Sequence, residues 1–211
     1  MPVDIHNPAN PSEVVGTFPT MLPEDVPAMM ANAHKAQREW ARMPQPERGK
    51  IVDAFLDALE TRIEDIATAI TREMGKIIGE SRGEVNKALG EGRATTRRAS
   101  APIGEVLPSQ KPGTVTYSTR RPRGVIVGIN PWNFPFSTPI RKTIPALVYG
   151  NAIVLKPSIS TPGAAFIMQE VADQTLPKGL FQIAYGSGSL GGVLTAAQGV
   201  NAISFTGSVS I

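Results

Sequence analysis

Apolar residues recur three or four positions apart in the first half of the chain. The clearest series comprises Ile51, Phe55, Leu59, Ile63, Ile66 and Ile70. This spacing places the series on one face of a helix, while the charged residues between its members face solvent. The pattern predicts a single helix from Pro46-Glu47 to Met74-Gly75, where the glycine favours a left-handed C-cap.

Two further helices and an extended lead-in are predicted around this helix. Residues 1–19 form the extended segment, and the acidic turn Pro23-Glu24-Asp25 begins the first helix, since acidic residues suit an N-terminal turn. Residues 80–99 form the last helix of this half.

The hydrophobic pattern changes after Ile103. Residues 104–107 and 114–120 contain β-branched residues in alternation, and Pro112-Gly113 lies between them. Alternation on both sides of a Pro-Gly turn predicts a projecting β-hairpin.

Four short, almost wholly apolar runs follow the hairpin, at residues 125–129, 152–155, 181–184 and 202–205. Stretches long enough for helices separate them, at residues 137–149, 162–174 and 190–197. Strands that are buried on both faces and alternate with helices form parallel sheets with right-handed crossovers. The predicted fold class is therefore α/β, with N-terminal helices, part of a doubly wound parallel sheet and a projecting β-hairpin.

Composition narrows the possible chemistry. The 211 residues include no cysteine and two histidines, so disulfides, thiolate metal sites and thiol nucleophiles are excluded within them, and no metal site is predicted. The net charge is +3, and the arginine clusters near residues 93–98 and 120–123 lack interleaved aromatic residues, so no nucleic-acid partner is expected. No apolar run approaches the ~20 residues that span a bilayer, and the start lacks signal-peptide features. A cytoplasmic protein without a membrane partner is expected.

Ligands of open parallel sheets bind beyond the carboxyl ends of the strands, so the residues after each apolar run are the candidates for a site. These segments are Asn130-Pro131-Trp132-Asn133-Phe134-Pro135, Lys156-Pro157-Ser158, Gly186-Ser187-Gly188 and Thr206-Gly207-Ser208. A cation, small hydroxyls and glycines that expose backbone N–H groups together suit a phosphorylated ligand.

Each of these elements also has a purely structural interpretation. Lys156 could be a solvated charge at a strand end, residues 186–192 could be a flexible turn into a helix, and Trp132 could be a core residue. Gly186, Gly188 and Gly191 approximate a dinucleotide fingerprint, but they follow the third strand and lack the acidic partner at the usual distance. The placement of all four segments on one edge favours the binding site.

Three motifs in this order resemble the aldehyde dehydrogenase superfamily. They are Pro131-Trp132-Asn133-Phe134-Pro135, the segment GNAIVLKPS from Gly150 to Ser158, and Phe205-Thr206-Gly207-Ser208. Glu73-Met74-Gly75-Lys76 and the segment from Arg120 to Gly124 also match. The resemblance runs through nearly all of the chain and covers less than half of a complete family member.

The resemblance implies roles for individual residues. The Asn133 amide would donate a hydrogen bond to the oxyanion of a thiohemiacetal, Lys156 would bind the adenosine ribose hydroxyls, and Ser208 would meet the cofactor pyrophosphate. Trp132 would form a wall between the cofactor and substrate sites. The implied cofactor-binding residues are Pro131, Trp132, Lys156, Pro157, Ser158, Ile159, Gly188, Gly192, Gly207 and Ser208.

The cofactor implied by the resemblance is NADP or NAD. Relatives that prefer NAD often have Glu three positions after the lysine, where its carboxylate would repel a 2′-phosphate. The residue at this position is Ile159, and Ser158 could hydrogen-bond a phosphate, so NADP is expected to be accepted. The substrate is expected to be a small aldehyde, and the segments near Arg120–Pro135 and Val200–Ser208 look most like those of semialdehyde dehydrogenases.

The resemblance further implies domains and assembly. Residues 1–102 would be the extended segment and helices of the cofactor-binding domain, residues 103–123 an oligomerisation-type hairpin, and residues 124–211 a truncated Rossmann-like sheet. Intact family members are dimers or tetramers, so a homo-oligomer is expected.

The family's catalytic cysteine and general-base glutamate lie beyond Ile211. The full reaction is thiolate attack on the aldehyde, hydride transfer to the nicotinamide and attack of water on the thioester. We therefore expect a fragment of a longer enzyme that is inactive alone and binds cofactor weakly. The alternative is a non-catalytic nucleotide-binding or interaction module, and the coding sequence after Ile211 would distinguish the two.

Overall fold

The start of the chain is a β-hairpin. Strands β1 (Pro2–Asn7) and β2 (Asn10–Pro19) pair antiparallel, and the Asn7 side chain closes their turn by accepting the Ala9 N–H at 2.9 Å. The computed structural model describes residues 2–209, so Met1, Ser210 and Ile211 lie outside the described residues. The predicted extended conformation is confirmed from Pro2 onward, but the pairing of its two halves was not predicted.

The helices of the first half form a layer of amphipathic segments. They are α1 (Val26–Arg42), α2 (Gln45–Glu60), α3 (Ile63–Met74) and α4 (Ile78–Thr96), with short 3₁₀ segments at Pro23–Asp25 and Arg97–Ser100. Gly75 ends α3 in the left-handed conformation, with φ of 80°, as the C-cap prediction requires.

The prediction of one continuous helix from Pro46 to Met74 is wrong. The chain turns at Thr61-Arg62, where the Arg62 N–H donates to Leu59 O at 3.0 Å and the Thr61 hydroxyl donates to Ala58 O at 2.8 Å. These local bonds replace the helical ladder. The apolar series nevertheless stays on the core side, since Leu59 and Ile66 are fully buried on either side of the break.

The second half forms the predicted parallel sheet. Its strands are β5 (Val125–Ile129), β6 (Ala152–Lys156), β7 (Phe181–Ile183) and β8 (Ala202–Phe205), in the spatial order β7-β6-β5-β8. The connecting helices are α5 (Ser137–Val148), α6 (Gly163–Thr175) and α7 (Gly188–Ala196). The order reverses direction after β7, as in a doubly wound sheet.

The helices cover the two faces of the sheet. On one face, α5 and α6 pack against the sheet and against α2, α3 and α4, and this contact forms most of the hydrophobic core. On the other face, α1 and α7 approach the sheet and line a common groove. Within residues 2–209, no helix has the length and apolar content needed to cross a membrane.

Burial differs among the four strands. All five residues of β6 are buried, whereas β8 alternates between half-buried and exposed residues, with Phe205 47% exposed. The expectation that every strand is buried on both faces is therefore wrong for β8, which lies at an edge of the sheet.

The predicted projecting hairpin is present. Strands β3 (Gly104–Leu107) and β4 (Thr116–Thr119) pair antiparallel, with Gly104 opposite Thr119. All eight residues of the two strands are exposed, including Val106 at 80% and Tyr117 at 66%.

Glu73 connects the helical layer to the sheet. Its carboxylate oxygens accept the Gly163 N–H, at 2.9 and 3.0 Å, where α6 begins. The residue is buried, and this burial raises the pKa of Glu73 to about 7, although the hydrogen bond from Gly163 acts in the opposite direction. Desolvation therefore outweighs the favourable N-terminal contact at this carboxyl.

This balance predicts a pH-dependent stability. The folded-state pKa of about 7 exceeds the reference value of 4.5, so the folded chain binds more protons than the unfolded chain between these values. The Glu73 contribution to the free energy of unfolding is fully present below pH 4.5 and is lost as the pH rises through 7. Glu73→Gln removes this dependence, so it should gain on the order of 3 kcal/mol relative to wild type across the window.

Urea unfolding of both proteins across this pH range measures the difference. The matched control is Glu64→Gln, because the Glu64 carboxylate is exposed and its hydrogen bond to Arg82 lowers its pKa. A difference between Glu73→Gln and wild type that does not change with pH would contradict the assignment.

Candidate cofactor-binding site

The carboxyl ends of the strands lie at one edge of the sheet. Ile129 of β5 is opposite both Lys156 of β6 and Phe205 of β8. Backbone hydrogen bonds continue past the strand ends, from Asn130 N to Lys156 O and from Thr206 N to Ile129 O, both at 3.1 Å. The segments that follow the strands therefore start side by side, and we call this edge the rim.

Lys156 lies buried at the rim. It is 6% exposed, and burial lowers the pKa of its ammonium group. The neighbouring Leu155 side chain lies on the α5 face of the sheet, where it is 3.2 Å from the position that a Cβ at Gly128 would occupy. Because successive side chains of a strand point to opposite faces, Lys156 points towards α7. The interpretation of Lys156 as a solvated charge is wrong, because α7 packs over its side chain.

Glycines of α7 make room beside this lysine. A Cβ at Gly191 would lie 3.6 Å from Lys156 Cδ, while a Cβ at Gly188 or Gly192 would meet nothing within 4 Å. The helix begins at Gly188 after an extended Ser187, whose hydroxyl bonds Ser189 Oγ at 2.6 Å. The start of α7 thus offers backbone N–H groups next to open space.

The segment after β5 presents its side chains outward. Trp132 is 56% exposed and Asn133 is also exposed, so the interpretation of Trp132 as a core residue is wrong. Pro131 is half-buried, and Pro135 is buried. The Trp132 carbonyl accepts the Thr161 hydroxyl at 3.3 Å, which ties this segment to the one after β6.

A buried tyrosine supports the segment after β6 through a hydrogen bond to its backbone. Pro157 is buried, and Ser158 and Ile159 are half-buried. The Tyr185 hydroxyl donates to Ile159 O at 2.9 Å, and burial together with the nearby Glu73 raises the pKa of Tyr185 to about 12. Ser158 Oγ accepts the Ser160 N–H at 3.2 Å, which shapes the turn.

The segment after β8 closes the rim. Thr206, Gly207 and Ser208 are exposed. A Cβ at Gly207 would lie 2.5 Å from Phe205 Cζ, so a side chain there would displace this partly exposed ring. The family resemblance also implies a helix that begins near Ser208, but Ser210 and Ile211 lie outside the described residues.

Two rim residues were given no role from the sequence, although Asn130 was named there as part of the segment after β5. Lys142 on α5 donates to Ser204 Oγ and Thr206 Oγ1, both at 2.9 Å, and burial lowers its pKa. Its side chain crosses β5 where Gly128 has no Cβ, and this glycine within an apolar strand was the available signal. Asn130 is 6% exposed, and within residues 2–209 its Oδ1 has no hydrogen-bond partner.

A second buried carboxylate supports the rim from the helical layer. Glu84 Oε1 accepts the N–H groups of Phe136 and Ser137, at 3.0 and 3.1 Å, where α5 begins. Glu84 stands on α4, more than fifty positions before these partners in the sequence. Only the fold brings them together.

The rim is distinct from a groove of about 800 Å³ along β7. That groove is lined by residues of α1, α6, the Pro177–Lys178–Gly179 turn and all of β7, so it runs along this edge strand rather than beyond its carboxyl end. Since ligands of parallel sheets bind beyond the carboxyl ends, the rim is the candidate site despite the size of the groove.

Comparison with known proteins identifies relatives of the whole chain. The model of the "Aldehyde dehydrogenase family" matches residues 1–211. An alpha-ketoglutaric semialdehyde dehydrogenase of Bacillus subtilis (strain 168) is 38% identical over 208 residues, which are 98% of this chain and 43% of the relative. This chain therefore spans less than half the length of that curated relative.

Solved structures share the fold. Lactaldehyde dehydrogenase from Escherichia coli superposes with a TM-score of 0.95 at 34% identity, over 100% of this chain and 44% of that one. A betaine aldehyde dehydrogenase variant from Staphylococcus aureus in complex with NAD+ gives 0.95 at 30% identity, over 100% and 43%. A 3,6-anhydro-L-galactose dehydrogenase in complex with NAP gives 0.90 at 30% identity, over 96% and 43%.

The contacts of Lys142 predict that it holds the end of β8 in place. Lys142→Met removes two charge-assisted hydrogen bonds, so exchange of the Thr206 amide, which bonds Ile129 O, should become roughly tenfold faster. Hydrogen exchange followed by NMR measures this rate. Lys50→Met, which breaks an exposed pair with Glu47, is the control, and an unchanged Thr206 rate in Lys142→Met would refute the role.

Proposed function

The chain belongs to the aldehyde dehydrogenase family, and we propose that it forms the cofactor-binding portion of an NAD(P)-dependent enzyme that oxidises an aldehyde to a carboxylate. One observation carries the proposal. The buried side chain of Lys156 lies at the same edge of the sheet as the open start of α7, and Gly191 of this helix packs against its methylene groups.

This arrangement fits a nicotinamide dinucleotide. A ribose offers hydroxyls that the Lys156 ammonium can bind, and a pyrophosphate suits exposed backbone N–H groups at the start of a helix. The space next to Gly188 and Gly192 leaves room for such a ligand, since a side chain there would meet no protein atom. The unpartnered Asn130 Oδ1 at the end of β5 could accept one further hydrogen bond from a hydroxyl.

The remaining rim residues take supporting roles in this proposal. Pro131 and Pro157 shape the floor, Trp132 separates the cofactor from the substrate, and Gly207 and Ser208 approach the pyrophosphate. Ser158 and Ile159 face the ribose, where the absence of a carboxylate permits NADP as well as NAD. The bound cofactor supplies the two-electron oxidation.

Asn133 is the proposed catalytic residue of this chain. Its exposed side-chain amide would donate a hydrogen bond to the oxygen that becomes negative when a nucleophile attacks the aldehyde. In other enzymes, removal of one well-placed donor of this kind raises the activation barrier by ~3–4 kcal/mol. The attacking thiolate is not among these 211 residues, which contain no cysteine, so we propose that the chain alone does not oxidise aldehydes.

The substrate is proposed to be a semialdehyde, which the 38% identity to an alpha-ketoglutaric semialdehyde dehydrogenase supports. Residues 1–102 and 124–211 are proposed to form one cofactor-binding domain, with residues 103–123 as an oligomerisation hairpin. The exposed Val106 and Tyr117 of this hairpin favour a homo-oligomeric contact.

The first test is cofactor binding by this chain. NADP should shift the NMR resonances of residues at the rim, and Lys156→Met should lower the affinity about tenfold, because it removes a charge-assisted hydrogen bond of at least ~1.4 kcal/mol. Titration of backbone amide shifts at millimolar cofactor measures both effects.

The matched control is Lys178→Met, because Lys178 is an exposed lysine that lines the groove along β7. Its affinity for NADP should equal that of wild type. Loss of binding in Lys178→Met but not in Lys156→Met would place the ligand in the groove and overturn the proposal.

A second test concerns the ribose phosphate. Ile159→Glu introduces a carboxylate at the proposed ribose position, so it should weaken NADP binding about tenfold relative to NAD through charge repulsion. The same titrations give the ratio of the two affinities. Val14→Glu adds an equal charge at an exposed position of β2, a strand that contributes no residue to the rim, and should leave the ratio unchanged. An equal ratio in wild type and both variants would exclude Ile159 from the ribose site.

A further inference from the structure

One lysine outside the rim donates a hydrogen bond to the backbone of Asn133. The side chain of Lys76, between α3 and α4, is 11% exposed. Its Nζ donates to Glu84 Oε2 at 2.6 Å and to the Asn133 carbonyl oxygen at 3.2 Å. The same Nζ lies 4.5 Å from the centre of the Phe134 ring. A single cation therefore contacts both residues that flank the Asn133–Phe134 peptide bond.

The partner of this lysine extends the contact to the start of α5. The Glu84 side chain is 2% exposed, and its other oxygen accepts the N–H groups of Phe136 and Ser137. The Lys76–Glu84 ion pair thus binds the segment after β5 on both sides of Pro135. A buried pair of this kind is rigid because every charged atom involved has a partner.

The geometry separates the backbone of this segment from its side chains. The backbone of Trp132, Asn133 and Phe136 is bonded from below, by Thr161, Lys76 and Glu84 respectively. The side chains of Trp132 and Phe134 are 56% and 48% exposed, and Asn133 between them is exposed as well. The protein therefore presents the exposed Trp132 and Asn133 side chains on a fixed backbone, while one face of the Phe134 ring contacts Lys76.

We propose that Lys76 is a positioning residue that sets the direction of the Asn133 amide. It acts through the Asn133 carbonyl and the Phe134 ring, with Glu84 as its counter-ion, and it makes no contact with the substrate itself. The catalytic purpose of this positioning rests on the proposed function, in which the Asn133 amide is the hydrogen-bond donor to the oxyanion. Misplacement of a donor by even 1 Å weakens transition-state stabilisation, so such support has a direct catalytic purpose.

The experiment measures order at Asn133 in the 211-residue chain without cofactor. In wild type, the ¹⁵N order parameter of the Asn133 backbone amide should be about 0.85, the value of rigid backbone, and in Lys76→Met it should fall below about 0.6. The Asn133 side-chain amide resonances should broaden in the same variant, and iodide should quench the exposed Trp132 more strongly.

The controls separate positioning from stability. Arg82→Met removes a cation from the same helix region and breaks its exposed pair with Glu64, so it should leave the order at Asn133 unchanged. Lys76→Arg keeps the charge and the donors, and it should restore a rigid Asn133. Retained order in a folded Lys76→Met, or an equal loss in Arg82→Met, would overturn the proposal.

A second variant covers the case in which Lys76→Met does not fold. The Glu84 carboxylate accepts hydrogen bonds from the N–H groups of α5 with one oxygen and from the Lys76 ammonium with the other. In Glu84→Gln the single amide oxygen can accept from only one of these two partners. Order should therefore fall at Asn133 or at Phe136. A folded Glu84→Gln chain that remains rigid at both residues contradicts the proposal.

The result is independent of the cofactor titration. A rigid Asn133 that depends on Lys76 supports the positioning role even if NADP fails to bind, in which case the proposed function alone is refuted. The converse result is that NADP binds while Asn133 stays ordered in Lys76→Met. That result leaves the proposed function intact and refutes the role of Lys76.

Discussion

The parallel pairing of β5 with β6 and β8 is the constraint on which the candidate site depends. Ile129 stands opposite both Lys156 and Phe205, so the segments that follow the three strands leave the sheet side by side. A shift of one residue in this register would turn Lys156 away from α7 and towards α5, because successive side chains of a strand point to opposite faces. The buried, wholly apolar interior of β6 up to Leu155 opposes such a shift, since it would also reverse the side chains packed in the core.

Two buried carboxylates attach the helical layer to this sheet. Glu73 and Glu84 accept backbone N–H groups at the starts of α6 and α5, where orphan donors need partners. Their electrostatic situations differ. Glu84 has the Lys76 ammonium at 2.6 Å, whereas burial dominates at Glu73 and raises its pKa to about 7. One contact therefore combines charge neutralisation with capping, and the other keeps a carboxyl poised between its two protonation states.

Local patterns predicted elements better than they predicted exposure. Strands β5 and β8 begin and end at the predicted residues, because their runs of apolar residues are bounded by turn-forming ones. The pattern did not predict the break at Thr61-Arg62, since the apolar spacing continues across it and only local hydrogen bonds interrupt the helix. Lys156 is buried and Trp132 is exposed, which reverses the usual preference of each residue type. Such reversals of local preference concentrate at functional sites.

The sequence by itself determined the α/β class, the order of strands and helices, and the family, because periodicity and the motifs around Asn133, Lys156 and Gly207 are local properties of the chain. Tertiary structure alone decided which distant side chains support those motifs. Lys76 and Glu84 reach the segment after β5 across more than fifty residues, and Lys142 reaches β8 across more than sixty. No spacing rule encodes contacts of this kind, since they arise only when helices and strands pack and each buried charge must find a partner.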